Sequence, residues 1–349
     1  MSSTTNPEWN NKTAATTVAA TFPEAIKNRT ILITGVNKSG LGYGTASAFA
    51  TQSPSTIIIT GRAPTKLQES LESLRAAYPA VNFKPLTLDL SSQKSVRQAA
   101  AEVLEWNDIP AIDIVVNNAG VMNIQERTFS VDGIEMHFAT NHIGHFLFTN
   151  LIMSKILAGK TKRIINISSL GTFVSPIRAS DLKWETPLGQ IPEKEKPNVA
   201  MLKMARLFVD DETTYIPMGA YGMSKTANIL YSVGLNTRLG DKGVLSLALH
   251  PGEIMTELQR STDLEWLEKT VEFRVKSGQP GFKTVDEGAA TGLVAATDPK
   301  LGRPGADGKG TYLSDCQITE QVPPYSLDKA EADKLWEISE GIVGEKFAW

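Results

Sequence analysis

Thr34-Gly35-Val36-Asn37-Lys38-Ser39-Gly40-Leu41-Gly42 joins a short apolar run, Thr30–Gly35, to a helical stretch, Tyr43–Gln52. Glycines let a backbone approach a pyrophosphate closely, and a helix N-terminus favours its negative charge. The spacing is not G-x-G-x-x-G, and a glycine-rich turn is often only a turn. Its place in the chain says more, because it opens an alternating pattern. Further apolar runs lie at Thr56–Gly61, Asn82–Leu90, Ile112–Asn117, Arg163–Ser168 and Val244–His250, with a short seventh at Gly310–Leu313. Helical stretches fall between them at Lys66–Tyr78, Gln93–Trp106, Val131–Leu157 and around Tyr221. Runs that are apolar throughout, separated by helices, predict an α/β fold with a parallel sheet covered on both faces. Right-handed crossovers make it doubly wound, with about seven strands.

At 349 residues the chain is long enough for one large α/β domain or two small ones. No repeat or low-complexity linker divides it, so residues 29–349 read as a single domain. Residues 1–28 read as an extension, polar and disordered in part. The net charge of -3 gives no reason to expect nucleic acid or an anionic membrane as partner. The single cysteine, Cys316, excludes an internal disulfide and any multi-cysteine metal site. A reducing compartment is its natural home. No apolar run reaches the roughly 18 residues of a membrane span. The first residues lack the basic and apolar regions of a signal peptide, so a cytoplasmic protein is expected.

Gly219-Ala220-Tyr221-Gly222-Met223-Ser224-Lys225 puts a phenol and a cation four residues apart on one helix face. An ammonium beside a tyrosine favours the phenolate and is expected to lower its pKa. Such a tyrosine can exchange a proton with a substrate oxygen. Alone, the pair also describes a solvated helix face. A second pair of cations matters at the nucleotide end. An NAD site usually places an acid after the second strand, for the ribose 2′-hydroxyl. Here Arg62 stands there and Lys38 sits inside the glycine loop, which suits a 2′-phosphate. Both also read as ordinary surface residues.

In order along the chain, these segments resemble the short-chain dehydrogenase/reductase family, in the manner of its retinol-dehydrogenase-like and carbonyl-reductase-like members. The glycine loop is similar to T-G-x-x-x-G-x-G with one extra residue between Gly35 and Gly40. Asn117-Asn118-Ala119-Gly120 matches N-N-A-G, and Asn141-His142-Ile143-Gly144-His145-Phe146 carries the family's helix asparagine. Arg163-Ile164-Ile165-Asn166-Ile167-Ser168-Ser169 ends on its serine, and His250-Pro251-Gly252-Glu253-Ile254-Met255-Thr256 resembles P-G-x-x-x-T. The flavour is set by Asn-His-x-Gly-His-Phe and by Gly310-Thr311-Tyr312-Leu313-Ser314-Asp315-Cys316.

The resemblance implies a Rossmann-type fold and a catalytic set of Asn141, Ser169, Tyr221 and Lys225. It implies a nicotinamide dinucleotide site, and Arg62 and Lys38 make NADP(H) the expected cofactor, preferred over NAD(H). That site would be formed by Gly35, Asn37, Lys38, Ser39, Gly40, Leu41, Gly42, Arg62, Asp89, Leu90, Asn117, Ala119, Gly120, Tyr221, Lys225, Pro251, Gly252 and Thr256. No metal is implied. His142, His145 and His250 read as structural, Cys316 as a buried small hydrophobe, and Glu193-Lys194-Glu195-Lys196 as a solvated loop.

Two segments are expected to set the substrate. An insertion at about 172–216 includes Met201, Met204, Leu207 and Phe208 at helical spacing. A lid at about 257–283 holds Leu258, Trp266, Phe273 and Phe282. Met and aromatic residues there suggest a sizeable apolar small molecule, although simple packing explains them equally. The insertion precedes the helix through which many family members pair, so a monomer or an unusual dimer is expected. Alternative readings are altered chemistry, a dehydratase or cyclase, and a non-catalytic NADP-binding sensor.

Overall fold

The computed structural model describes residues 3–204, 207, 209–256, 258, 281–305 and 307–349. Isoleucine, leucine and valine fill most of the strand runs, and the central strands of the sheet are buried on both faces. The strands are β1 (Thr30–Ile33), β2 (Thr56–Gly61), β3 (Asn82–Thr87), β4 (Ile114–Asn117), β5 (Arg163–Ile167), β6 (Leu245–His250), β7 (Tyr312–Ser314) and β8 (Gln317–Ile318). Their order is β3-β2-β1-β4-β5-β6-β7-β8. Every pairing is parallel except β7 with β8.

The fold is thus the expected doubly wound sheet, with eight strands rather than about seven. The extra strand follows a two-residue reversal in which Asp315 and Cys316 both take positive φ, 47° and 65°. Pro85 is tolerated within β3 because that strand is the sheet edge. Strand alternation divides the core. Leu32, Ile58, Val115 and Ile164 face one layer with Phe146 and Leu230. Ile31, Ile33, Ile57, Ile165 and Leu247 face the other with Phe49 and Leu293.

Three local features depart from the expected pattern. The 131–157 stretch is a broken series: Met136–Phe138, a π-turn at Ala139–Ile143, then Gly144–Leu151 and Met153–Leu157. Inside the insertion, Leu202 on the helix Val199–Met204 is buried while Met201 is 38% exposed. The N-terminal segment, expected to be partly disordered, packs on the domain. Thr5 donates from its backbone N and from Oγ1 to the Asp298 carboxylate, at 2.7 and 2.5 Å. Trp9 meets Phe22 edge-on at 5.7 Å. Phe208, Trp266, Phe273 and nearly all of the expected lid lie outside the described residues. Among the described residues, no helix is long and apolar enough to cross a membrane.

Candidate active site

The loop after β1 and the loop after β4 touch. Gly35 has φ +70°, and a Cβ there would lie 2.7 Å from the Ala119 Cα, so only glycine fits. Asn118 stitches the two loops together. Its Nδ2 donates to the carbonyls of Thr34 (2.8 Å) and Gly35 (3.2 Å). The Thr34 hydroxyl accepts from the backbone N of Asn118 and of Ala119, and meets His145 Nε2 at 2.8 Å.

The extra residue in the glycine loop is absorbed locally. Gly40 N donates to the Asn37 carbonyl at 2.8 Å, closing a turn in which Ser39 takes φ 68°. Gly40 then starts the helix Leu41–Ala50, and no side chain caps its N-terminus. First-turn N–H groups left without a side-chain partner, on glycine-lined backbone, fit an anionic diphosphate. Gly42 packs its backbone on the loop it follows, since a Cβ there would lie 2.6 Å from the Gly35 carbonyl oxygen.

Of the residues expected at the adenosine end, Lys38 and Arg62 are exposed, and neither is held in an ion pair among the described residues. The Asp89 carboxylate accepts from Ser91 N (3.0 Å) and Ser91 Oγ (2.7 Å), which sets its loop. Leu90 turns inward: a Cβ on Gly144 would lie 2.2 Å from the Leu90 carbonyl oxygen. Asn117 points away from the loops. Its Nδ2 donates to Asn166 Oδ1 at 2.9 Å and Thr149 Oγ1 at 3.2 Å inside the sheet. Of the two adjacent asparagines it is Asn118, passed over in the sequence reading, that shapes the site. The N-N-A-G match contained that signal, but spacing does not say which amide faces which strand.

Asn141, Ser169, Tyr221 and Lys225 converge beyond the C-terminal ends of β4 and β5. Asn141 sits in the π-turn, a device often found at functional sites. Its amide brackets Val121, accepting from Val121 N at 2.8 Å and donating to Val121 O at 2.9 Å. Gly120 meets both Asn141 and Lys225: a Cβ there would lie 3.2 Å from Asn141 Oδ1 and 3.6 Å from Lys225 Nζ. Tyr221 and Lys225 ride on the helix Pro217–Leu239. Lys225 Nζ donates to the Ile167 carbonyl at 3.0 Å and lies 5.7 Å from the centre of the Tyr221 ring.

The two serines after β5 part ways. Ser168 Oγ is buried and donates to the Lys225 carbonyl at 2.7 Å. Ser169 is half-buried and starts the short helix Leu170–Phe173, its Oγ accepting from Gly171 N at 3.1 Å, and it lies near enough to Tyr221 to draw the phenol's pKa down.

The electrostatics correct one expectation. Burial pushes the Tyr221 phenol up to about 12, and the Ser169 hydrogen bond is the influence pulling it down. Burial likewise pushes Lys225 down to about 8. The cation four residues away does not set the tyrosine's pKa here, because desolvation of the phenolate outweighs it. A phenol at about 12 remains protonated at neutral pH.

Past β6, Gly252 has φ +92° under the Lys283 side chain, whose Cδ would lie 2.5 Å from a Cβ there. Lys283 Nζ is held by Asp315 at 2.7 Å. Pro251 is buried, and Thr256 Oγ1 accepts from Leu258 N at 3.3 Å. Among the described residues there is no cluster of His, Cys, Asp and Glu able to hold a metal ion.

The chain has counterparts among known proteins. The short chain dehydrogenase family model matches residues 29–180. Oxidoreductase fscI of Fusarium equiseti is 36% identical over 244 residues, which cover 69% of this chain and 93% of that one. Retinol dehydrogenase 13 of Homo sapiens is 32% identical over 320 residues, 91% of this chain and 86% of that one. Among solved structures, L-sorbose reductase of Gluconobacter frateurii, in complex with NADPH and L-sorbose, aligns with a TM-score of 0.58. It is 18% identical and covers 85% of this chain and 98% of that one, a likeness of fold.

Proposed function

We propose that this chain, which belongs to the short-chain dehydrogenase family, is an NADP-dependent oxidoreductase. It would act on a carbonyl or secondary alcohol of a sizeable apolar molecule. The observation that carries the reading is the convergence of a buried, protonated Tyr221 with Ser169, Lys225 and Asn141 beside Gly120. The nicotinamide, when bound, supplies or accepts the hydride. Tyr221 donates its proton to the carbonyl oxygen, and Ser169 gives a second hydrogen bond where negative charge grows. Lys225, neighboured by Asn141, is assigned to the nicotinamide ribose and to proton supply for Tyr221. In alcohol oxidation the same groups work in reverse. The apolar substrate class is supported by the human relative, whose name gives retinol as its alcohol. The test is NADPH consumption across a panel of aliphatic and aromatic carbonyls, with products identified. Consumption of none of them would overturn the reading.

The NADP preference rests on Arg62 and Lys38. A guanidinium can form paired hydrogen bonds with a 2′-phosphate, and a lysine adds a point charge. Hydrogen bonds to charged groups are worth roughly 1.5–3 kcal/mol, so one contact favours NADPH by about tenfold to a hundredfold. Arg62→Asp should repel the phosphate and offer the 2′-hydroxyl an acceptor, moving the kcat/KM ratio toward NADH. Measuring kcat/KM for both cofactors decides it. A wild-type enzyme indifferent between them, or a ratio unmoved in the variant, removes Arg62 from this role.

A monomer is also part of the proposal, for a different reason than the insertion. The helix Lys329–Val343 lies on the Tyr221 helix and covers it there. A Cβ on Gly234 would lie 3.0 Å from Trp336 Cε3. The Trp336 ring packs on Phe146 at 5.0 Å and Tyr231 at 5.8 Å, with the Arg238 guanidinium over it at 4.3 Å. Light scattering should return the 37.9 kDa of one chain. A tetramer pairing through the Tyr221 helix would overturn the assignment.

A further inference from the structure

Behind Tyr221 lies a buried hydrogen-bond network that the proposed chemistry leaves unused. Glu135 and His137 are both fully buried, and His137 Nδ1 lies 2.7 Å from Glu135 Oε1. The second carboxylate oxygen accepts from Phe138 N at 2.9 Å. His137 Nε2 faces the backbone N–H of Ile124 at 3.2 Å and must accept from it. With Nε2 accepting, Nδ1 is the ring nitrogen that donates to Glu135. The next peptide unit is also held, since Tyr215 Oη donates to the Ile124 carbonyl at 2.9 Å. The His137 ring meets the Tyr221 ring edge-on, with centroids 6.2 Å apart. Upstream, Val121 is bracketed by Asn141. Downstream, Arg127 Nη1 donates to the Trp184 carbonyl at 2.7 Å, and Trp184 packs on Gly219 at the start of the Tyr221 helix.

We infer that Glu135, His137 and Tyr215 form a clamp on Ile124 that holds the 121–125 segment against the Tyr221 ring as one wall of the substrate site. His137 and Glu135 are thus positioning residues, acting through Tyr221 and the loop. Tyr215 couples that wall to the insertion. The inference rests on the oxidoreductase reading for its kinetic consequence only.

The test uses the full-length protein with NADPH, and decanal and 4-nitrobenzaldehyde as probes. His137→Phe keeps an aromatic ring against Tyr221 and loses both hydrogen bonds. Hydrogen exchange should quicken about tenfold or more in 121–127 and stay unchanged in β5. The kcat should fall by about tenfold to a hundredfold, as expected when a reacting group is misplaced by a fraction of an ångström to an ångström. NADPH affinity, by fluorescence titration, should stay within about twofold, by the same separation of positioning from binding. His137→Gln, which can present an acceptor to Ile124 N–H, should recover most of both effects. If His137→Phe does not fold, Tyr215→Phe removes only the bond to the Ile124 carbonyl and should reproduce the exchange effect. Unchanged exchange in 121–127 would overturn the clamp. So would a kcat loss matched by equal losses in NADPH affinity and in β5 protection. If the wild type reduces neither probe, the activity reading suffers, while the exchange experiment still decides the clamp.

Discussion

Tyr221→Phe is expected to reduce kcat by about 10²–10⁴-fold, the usual worth of a positioned acid–base group. The ring stays in place, so the edge contact with His137 and the packing on Gly171 persist. NADPH binding should therefore be nearly intact, and the loss should fall on kcat. The hydroxyl removed is the one whose proton burial retains up to about pH 12. Stopped-flow measurement of NADPH oxidation, beside a binding titration, separates the two quantities. Near-wild-type turnover in the variant would remove Tyr221 as the acid and, with it, the proposed mechanism.

The second large effect is on stability. Burial holds His142 near pKa 3, and His145 and His250 near 4. Their ordinary value is about 6.5, so between that value and about 4 the unfolded chain binds protons that the folded chain does not. Stability is therefore full above pH 6.5 and lost as pH falls. At pH 5 each histidine costs on the order of 2 kcal/mol, and the three together on the order of 6 kcal/mol. Asp181 and Asp333, held below the usual carboxylate range in spite of burial by their hydrogen bonds and by Arg178 or Arg238, act lower, from about pH 5 down. Urea unfolding at pH 7 and pH 5 thus isolates the histidines. His142→Phe should make the dependence shallower by about one proton. It preserves the aromatic contacts with Phe146 and Tyr231, and Ser339 keeps its bond to the Leu335 carbonyl. An unfolding free energy that is the same at both pH values would refute the account.

Alternation of apolar and helical runs was sufficient to predict a parallel, doubly wound sheet, because strands buried on both faces must be apolar along their whole length. The order of the motifs was sufficient to name Asn141, Ser169, Tyr221 and Lys225, and the structure brings all four together. Spacing along one helix face puts Tyr221 and Lys225 side by side, a local property that the sequence carries in full. What it does not carry is the surroundings of each group. The tyrosine's pKa rises because non-local packing strips water from it, and desolvation outweighs the ammonium one turn away. Asn117 and Asn118 are indistinguishable as neighbours in a motif, yet strand alternation sends one into the sheet toward Asn166 and the other across to Thr34. Ser168 and Ser169 divide in the same way, one toward the Lys225 carbonyl and the other toward Tyr221. Part of the cover on the Tyr221 helix comes from Trp336, 115 residues further along the chain than Tyr221. Local pattern decided which elements form and which groups are proposed for the chemistry. Only tertiary contact decided which of those groups are dry, which face one another, and which surface is left open.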